Sequence, residues 1–167
     1  MTNTPLPQRK KNRLNNWDYS TKGSYHITIC THNHDPLLGK VVNEDKGASG
    51  HLARVDLTDI GQCCLNALIM AEITYEDITV DRFVIMPNHI HVLVSIENDD
   101  KRKTVSNFVG YLKSHATRNV HKKYPSLTLW QKGFYDHIIR GDKDYDATWV
   151  YIDNNPAKWA EDRYYRE

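Results

Sequence analysis

The stretch ITVDRFVIMPNHIHVLVSIE, residues 78–97, constrains the fold more than any other. Two runs rich in β-branched and aromatic residues flank Met86-Pro87-Asn88. Proline has no N–H to give to a strand ladder, and Pro-Asn is turn chemistry, so the stretch predicts a β-hairpin. Side chains two apart on a strand share a face. His89, His91, Leu93 and Ser95 therefore point one way, and Ile90, Val92, Val94 and Ile96 the other. The apolar set needs a layer of helices over it. The first set places two imidazoles roughly 7 Å apart at the backbone, within reach of one ion. Neutral imidazole ligates transition metals, while a hard ion such as Mg²⁺ needs further oxygen partners. H-x-H alone fits two hydrogen-bonded surface histidines equally well. A catalytic site needs a third ligand and a reacting group from elsewhere in the chain.

Other segments extend the pattern. SYHITICT (24–31) alternates and predicts a first strand, and a loop follows, with short strands around GKVV and HLARV. DLTDIGQCCLNALIMAEI spaces Ile60, Cys64, Leu68 and Ala71 as a helix does, with Asp56 as its expected N-cap. TVSNFVGYLKSHATRNVHKKY is the clearest helix, with Val105, Phe108, Val109, Leu112, Ala116 and Val120 on one stripe. LWQKGFYDHIIR reads as strand or irregular chain. DKDYDATWVYIDNN reads as a last helix with Tyr145, Trp149 and Ile152 as its apolar stripe, ending near Asn155 because Pro156 follows. This order predicts an α+β, ferredoxin-like antiparallel sheet with helices on one face.

A chain of 167 residues with 40% apolar and 26% charged residues suits one globular domain. Three cysteines, none in C-x-x-C, argue against a disulfide framework and for a reducing, cytoplasmic setting. No apolar run is long enough for a membrane span, and no signal-peptide run opens the chain. Net charge is only +1, but two clusters are basic. Arg9, Lys10, Lys11 and Arg13 lie in an N-terminal arm, and Lys113, Arg118, Lys122 and Lys123 lie on the long helix. Such clusters can grip phosphates, and they equally suit a solvated arm and helix face.

The last helix offers candidate partners for the histidines. Tyr151 and Asn155, four apart in WVYIDNNPAKW, sit about 40° from one another and border the apolar stripe. A phenol can act as a nucleophile, and an amide oxygen suits a hard cation. Taken singly, Tyr151 also fits a packing tyrosine and Asn155 a helix-terminal residue.

MPNHIHVLV together with YIDNNPAKW resembles the single-tyrosine HUH transposases, in particular the branch associated with repetitive extragenic palindromes (REP). NRLNNWDYSTKGSYHITICTHN and LWQKGFYDHIIRGDKDY are similar to that branch's N-terminal signature and to the segment preceding its catalytic helix, so the resemblance spans nearly the whole chain. It implies that His89 and His91 bind a divalent metal, Mg²⁺ or Mn²⁺, that Tyr151 is the nucleophile, and that Asn155 supplies a third ligand. It also implies a C-terminal catalytic helix and a single catalytic domain over 23–167, after the basic arm of residues 1–22 that composition suggests. The expected substrate is single-stranded or hairpin DNA, cleaved and rejoined through a 5′-phosphotyrosine. Monomer and homodimer both stay open. Tyr135 is a second tyrosine nearby, but it has no asparagine one helical turn on. Trp130, Phe134 and Tyr135 are candidate stacking platforms for unpaired bases, and His137 reads as structural.

Two rivals come from other classes. A histidine-based phosphoesterase would use H-x-[ST] pairs, and His26-Ile27-Thr28 fits one while His89-Ile90-His91 breaks the other. A ferredoxin-like sheet can also bind single-stranded nucleic acid without chemistry.

Overall fold

The structure is a computed structural model and describes residues 21–45, 51–97 and 104–165. In chain order its elements are β1 (Gly23–Cys30), β2 (Gly39–Asp45), β3 (His51–Leu57), α1 (Asp59–Thr74), β4 (Ile78–Ile85), β5 (His89–Ile96), α2 (Val105–His121), β6 (Tyr135–Ile138) and α3 (Asp142–Asn154). The expected hairpin is β4–β5, closed at Ile85↔Ile90 with the Met86 N–H donating to the His89 carbonyl at 2.8 Å. β5 pairs on its other side with β1, and β1 with β6. The sheet order is β4-β5-β1-β6, antiparallel throughout. With α1 and α2 as the two crossovers, this is the ferredoxin-like α+β arrangement.

The β1–β5 register sets Tyr25 opposite Val94, Ile27 opposite Val92 and Ile29 opposite Ile90. These side chains are buried on one face. Over them lie Ile60, Cys64, Leu68 and Ala71 of α1, and all six stripe residues of α2. Each fully buried aliphatic or Phe side chain there contributes about 1.5–3 kcal/mol. α1 is capped by Thr58, whose hydroxyl accepts from the Gly61 N–H at 3.1 Å. Asp56, expected as the cap, instead belongs to β3, where its carboxylate pairs with Arg54. The cap moves along the chain because the strand runs two residues further than its hydrophobic pattern.

The GKVV and HLARV segments form the separate antiparallel hairpin β2–β3. β6 is only four residues long, at the sheet edge. α3 lies on the face opposite α1 and α2. Ile152 is buried, the Arg82 guanidinium sits 5.3 Å from the Trp149 ring centroid, and Arg82 pairs with Asp153. Gly141, at φ +83°, turns the chain into this helix. After Asn155 a 3-10 turn at Pro156–Glu161 leads into a terminal segment that packs across the histidine face. Among the described residues no helix is long and apolar enough to cross a membrane.

Candidate functional site

β5 delivers His89 and His91 to the same face, fully or almost fully buried, with their Nε2 atoms 3.0 Å apart. What surrounds them decides which atoms carry protons. Asn88 is itself buried, and its Nδ2 donates to the carbonyls of His34 (3.0 Å) and Tyr164 (2.6 Å). Two carbonyl acceptors fix the amide's orientation, so its Oδ1 must face His89 Nδ1, 2.9 Å away. An amide oxygen only accepts, so His89 Nδ1 carries the proton and its Nε2 presents a lone pair. His91 Nδ1 lies 3.0 Å from Thr28 Oγ1 and 3.1 Å from His26 Nε2. Either neighbour can accept the Nδ1 proton, which would free His91 Nε2 as a second lone pair.

Burial pushes the His89 imidazole down to about 3, with the charges of His34 and Arg163 adding to the effect. Burial likewise holds His91 well below its ordinary value, with His89 as the next cause. Both rings are therefore neutral, the form that ligates metals. Two lone pairs aimed at a common point repel one another unless a proton or a cation lies between them. The donor set thus fits a divalent ion, with Asn88 and Thr28 in the orienting role that metal-bound histidines require. A third group completes the cluster. Asp162 brings a carboxylate oxygen to 3.9 Å from His89 Nε2, and the candidate ligand atoms of His89, His91 and Asp162 all lie within 4.8 Å of one another.

Tyr151 stands beside this cluster in the same chain. Its ring centroid is 5.3 Å from that of His91 and 5.8 Å from that of His26, both edge-on, and the residue is 46% exposed. It lines two adjoining cavities. One, of about 460 Å³, also takes in His26, Thr28, His91, Tyr135 and Arg163. The other, of about 400 Å³, takes in Asn155, Lys158, Asp162 and Arg163. Among the described residues only Ala147, Tyr151 and Arg163 border both. The Arg163 guanidinium is stacked over Tyr164 at 4.4 Å and Tyr135 at 5.7 Å. Asn155 is buried at the end of α3, and its Nδ2 donates to the Tyr151 carbonyl at 3.0 Å.

The basic residues named from the sequence take varied positions. Lys113 donates to the carbonyls of Gln131 (2.7 Å) and Gly133 (2.8 Å), Lys122 to Asn119 Oδ1 (2.9 Å), and Lys123 pairs with Asp59. Arg118 is exposed. All four sit on or just beyond α2, across the sheet from the histidines. Arg9, Lys10, Lys11 and Arg13 lie outside the described residues. Phe134 belongs to the core, and the Trp130 indole donates to the Lys113 carbonyl at 3.1 Å. His137 sits 3.0 Å from the Asp144 carboxylate, opposite His26 in the β1–β6 ladder.

Sequence reasoning missed Asn88, Asp162 and Arg163, and named His26 and Thr28 only as half of a phosphoesterase pair. Alternation in β1 puts His26 and Thr28 on one face, a signal that was available. The placement of Asp162 and Arg163 follows from a terminal turn with no periodicity to read.

A ferredoxin-like sheet here sets a buried H-x-H pair, a candidate metal-binding cluster, beside a helix-borne tyrosine. Residues 19–155 match the family described as "Transposase IS200 like". The chain belongs to the IS200-like transposase family. A Haemophilus influenzae protein described only as "Uncharacterized protein" is 29% identical over 98% of this chain and 96% of its own length. A second protein of that organism, described as "Putative REP-associated tyrosine transposase", is 34% identical over 84 residues, 44% of this chain and 47% of its own. A solved structure of a REP-associated tyrosine transposase bound to a REP hairpin superimposes with TM-score 0.63 at 21% identity, covering 92% of this chain and 74% of that one. A Deinococcus radiodurans R1 structure, described as a "putative transposase", gives TM-score 0.51 at 14% identity, with 89% and 97% covered.

Proposed function

We propose that the chain is a metal-dependent endonuclease and strand transferase of the REP-associated branch, acting on single-stranded DNA beside a hairpin. The observation that carries this is the convergence, within one chain, of the Tyr151 ring and the His89–His91 pair. A Mg²⁺ or Mn²⁺ ion held by His89, His91 and Asn155 would neutralise charge on a non-bridging oxygen of the scissile phosphate. Tyr151 attacks phosphorus as its phenol loses a proton. The bond to the 3′ oxygen breaks, that oxygen takes a proton, and the DNA's 5′ phosphate is left on the tyrosine. A free 3′-hydroxyl can reverse the step, so the chemistry is transfer, with the bond energy kept in the covalent link. Arg163, which borders both cavities that Tyr151 lines, offers its guanidinium to the phosphate.

In this reading Arg118 and Lys122 contact phosphates of the hairpin stem, and the arm residues Arg9, Lys10, Lys11 and Arg13 grip it further along. Lys113, Lys122 and Lys123 meet phosphates only by leaving their present oxygen partners. The protein found in complex with a REP hairpin supports the choice of substrate class through its shared fold.

The test is a denaturing gel of labelled REP-type hairpin DNA, with a single-stranded flank, incubated with protein and Mn²⁺. A covalent protein–DNA band is expected from the natural chain. Tyr151→Phe should bind the hairpin with unchanged affinity and form no band. An adduct with that variant would dismiss Tyr151. Cleaved DNA without any adduct would favour a phosphoesterase, and a shift seen only on native gels a binding module.

A further inference from the structure

The carboxylate that faces the histidines comes from the C-terminal turn. The Asp162 side chain is only 6% exposed, and its Oδ2 is the atom 3.9 Å from His89 Nε2. Its other oxygen is already engaged, accepting from the Tyr164 N–H at 2.6 Å. A buried carboxylate is costly unless a cation or several donors answer it. Here Oδ2 is turned toward two neutral imidazoles, each able to present a lone pair. Three such ligand atoms converging within 4.8 Å make an electron-rich pocket, and a divalent ion is what it fits.

The turn is also firmly held. The Asn88 amide, which orients His89, donates to the Tyr164 carbonyl. The Tyr164 ring packs 5.0 Å from His34 and 4.9 Å from His89, and the Trp159 ring 6.1 Å from His89. One buried amide therefore links the metal-facing histidine to the segment that carries Asp162.

We propose that Asp162 is itself a ligand of the ion held by His89 and His91, so that ion binding and docking of the C-terminal turn are a single coupled event. This rests on the metal reading of the site given above. It adds a charged ligand from the terminal turn to whatever Asn155 contributes from α3. Such a ligand would lower the positive charge the ion offers the phosphate, and without the ion the turn keeps the Asn88 amide and the ring contacts.

Calorimetric titration of the full chain with Mn²⁺ tests this, together with hydrogen exchange at the amides of residues 159–165 with and without the ion. His89→Ala is the control for the pair. Asp162→Asn keeps the side-chain volume and an oxygen for the Tyr164 N–H, so a loss there is not a loss of the turn. Expected are Mn²⁺ binding by the natural chain, its loss in His89→Ala, and at least about tenfold weaker binding in Asp162→Asn and Asp162→Ala. Mn²⁺ should slow exchange in the turn of the natural chain and leave it unchanged in both Asp162 variants. If these variants bind Mn²⁺ as the natural chain does while His89→Ala does not, Asp162 is no ligand and the two-histidine site stands. If the natural chain binds no Mn²⁺, the inference falls together with the metal reading.

Discussion

Asn88 shows how much one side chain can settle. Its amide fixes the His89 tautomer and ties down the C-terminal turn, using both ends of the group while buried. Asn88→Ala removes both at once and leaves two carbonyls short of a donor. The expected cost is about 2–3 kcal/mol of stability, read from a denaturant midpoint, together with about 10–100-fold weaker Mn²⁺ binding. A variant with natural metal affinity would deny Asn88 its orienting role. The histidines make a second prediction. Burial lowers His26 to about 4, with His137 and Arg163 lowering it further and Asp144 opposing, and lowers His89 to about 3. In the unfolded chain a histidine titrates near 6.5. Between these values the unfolded state binds more protons, so acidification favours unfolding. Stability from this source is complete above about pH 6.5 and falls as pH drops toward 4. Urea midpoints at pH 7.5 and pH 5 should differ accordingly, and His26→Gln should shrink the difference. The paired imidazoles were legible because a two-residue period needs no tertiary knowledge. Asn88 read only as a turn residue, since nothing in Pro-Asn-His tells which carbonyls its amide will meet.

Elements with a long hydrophobic period were legible, and short ones were not. The six-residue stripe of α2 and the two strands β4 and β5 with the turn between them appear where expected. β6 carries too few residues for alternation to separate strand from irregular chain, and only its ladder to β1 defines it. The start of α1 was misplaced because a threonine at a strand end outcompetes an earlier aspartate that the strand retains. That same junction holds a prediction. Gly61 sits in the first turn of α1, where an added Cβ would meet the Leu38 carbonyl oxygen at 1.9 Å. Alanine is the better helix former by about 1 kcal/mol, yet here the helix would have to move off the β1–β2 connection. Gly61→Ala should therefore destabilise, by about 1–3 kcal/mol. A raised thermal midpoint would mean that the approach of helix and loop is looser than described.

At the scale of the molecule, the sheet separates two layers. α1 and α2 complete a core on one face, while α3 and the C-terminal turn cover the other and bring the chemistry to it. Element order alone implied the first layer. The second depends on which way α3 docks, and this a sequence with a single short stripe leaves open, along with whether Tyr151 serves its own histidines or those of a second copy. The geometry favours its own. Three residues link Ile138 of β6 to Asp142 of α3, a reach of about 10 Å when extended. α3 is held to its own sheet by buried Ile152, by the Arg82–Asp153 pair and by Asp144 against His137. Exchange between copies would have to undo all three contacts across that short link. Mixing Tyr151→Phe with His89→Ala should accordingly give no more covalent adduct than either variant alone. In a swapped dimer the mixture would recover one intact site per mixed pair, and adduct would reappear on the chain carrying His89→Ala. Mass spectrometry of the adduct identifies which chain bears the DNA, so recovery on that chain would place the tyrosine in trans.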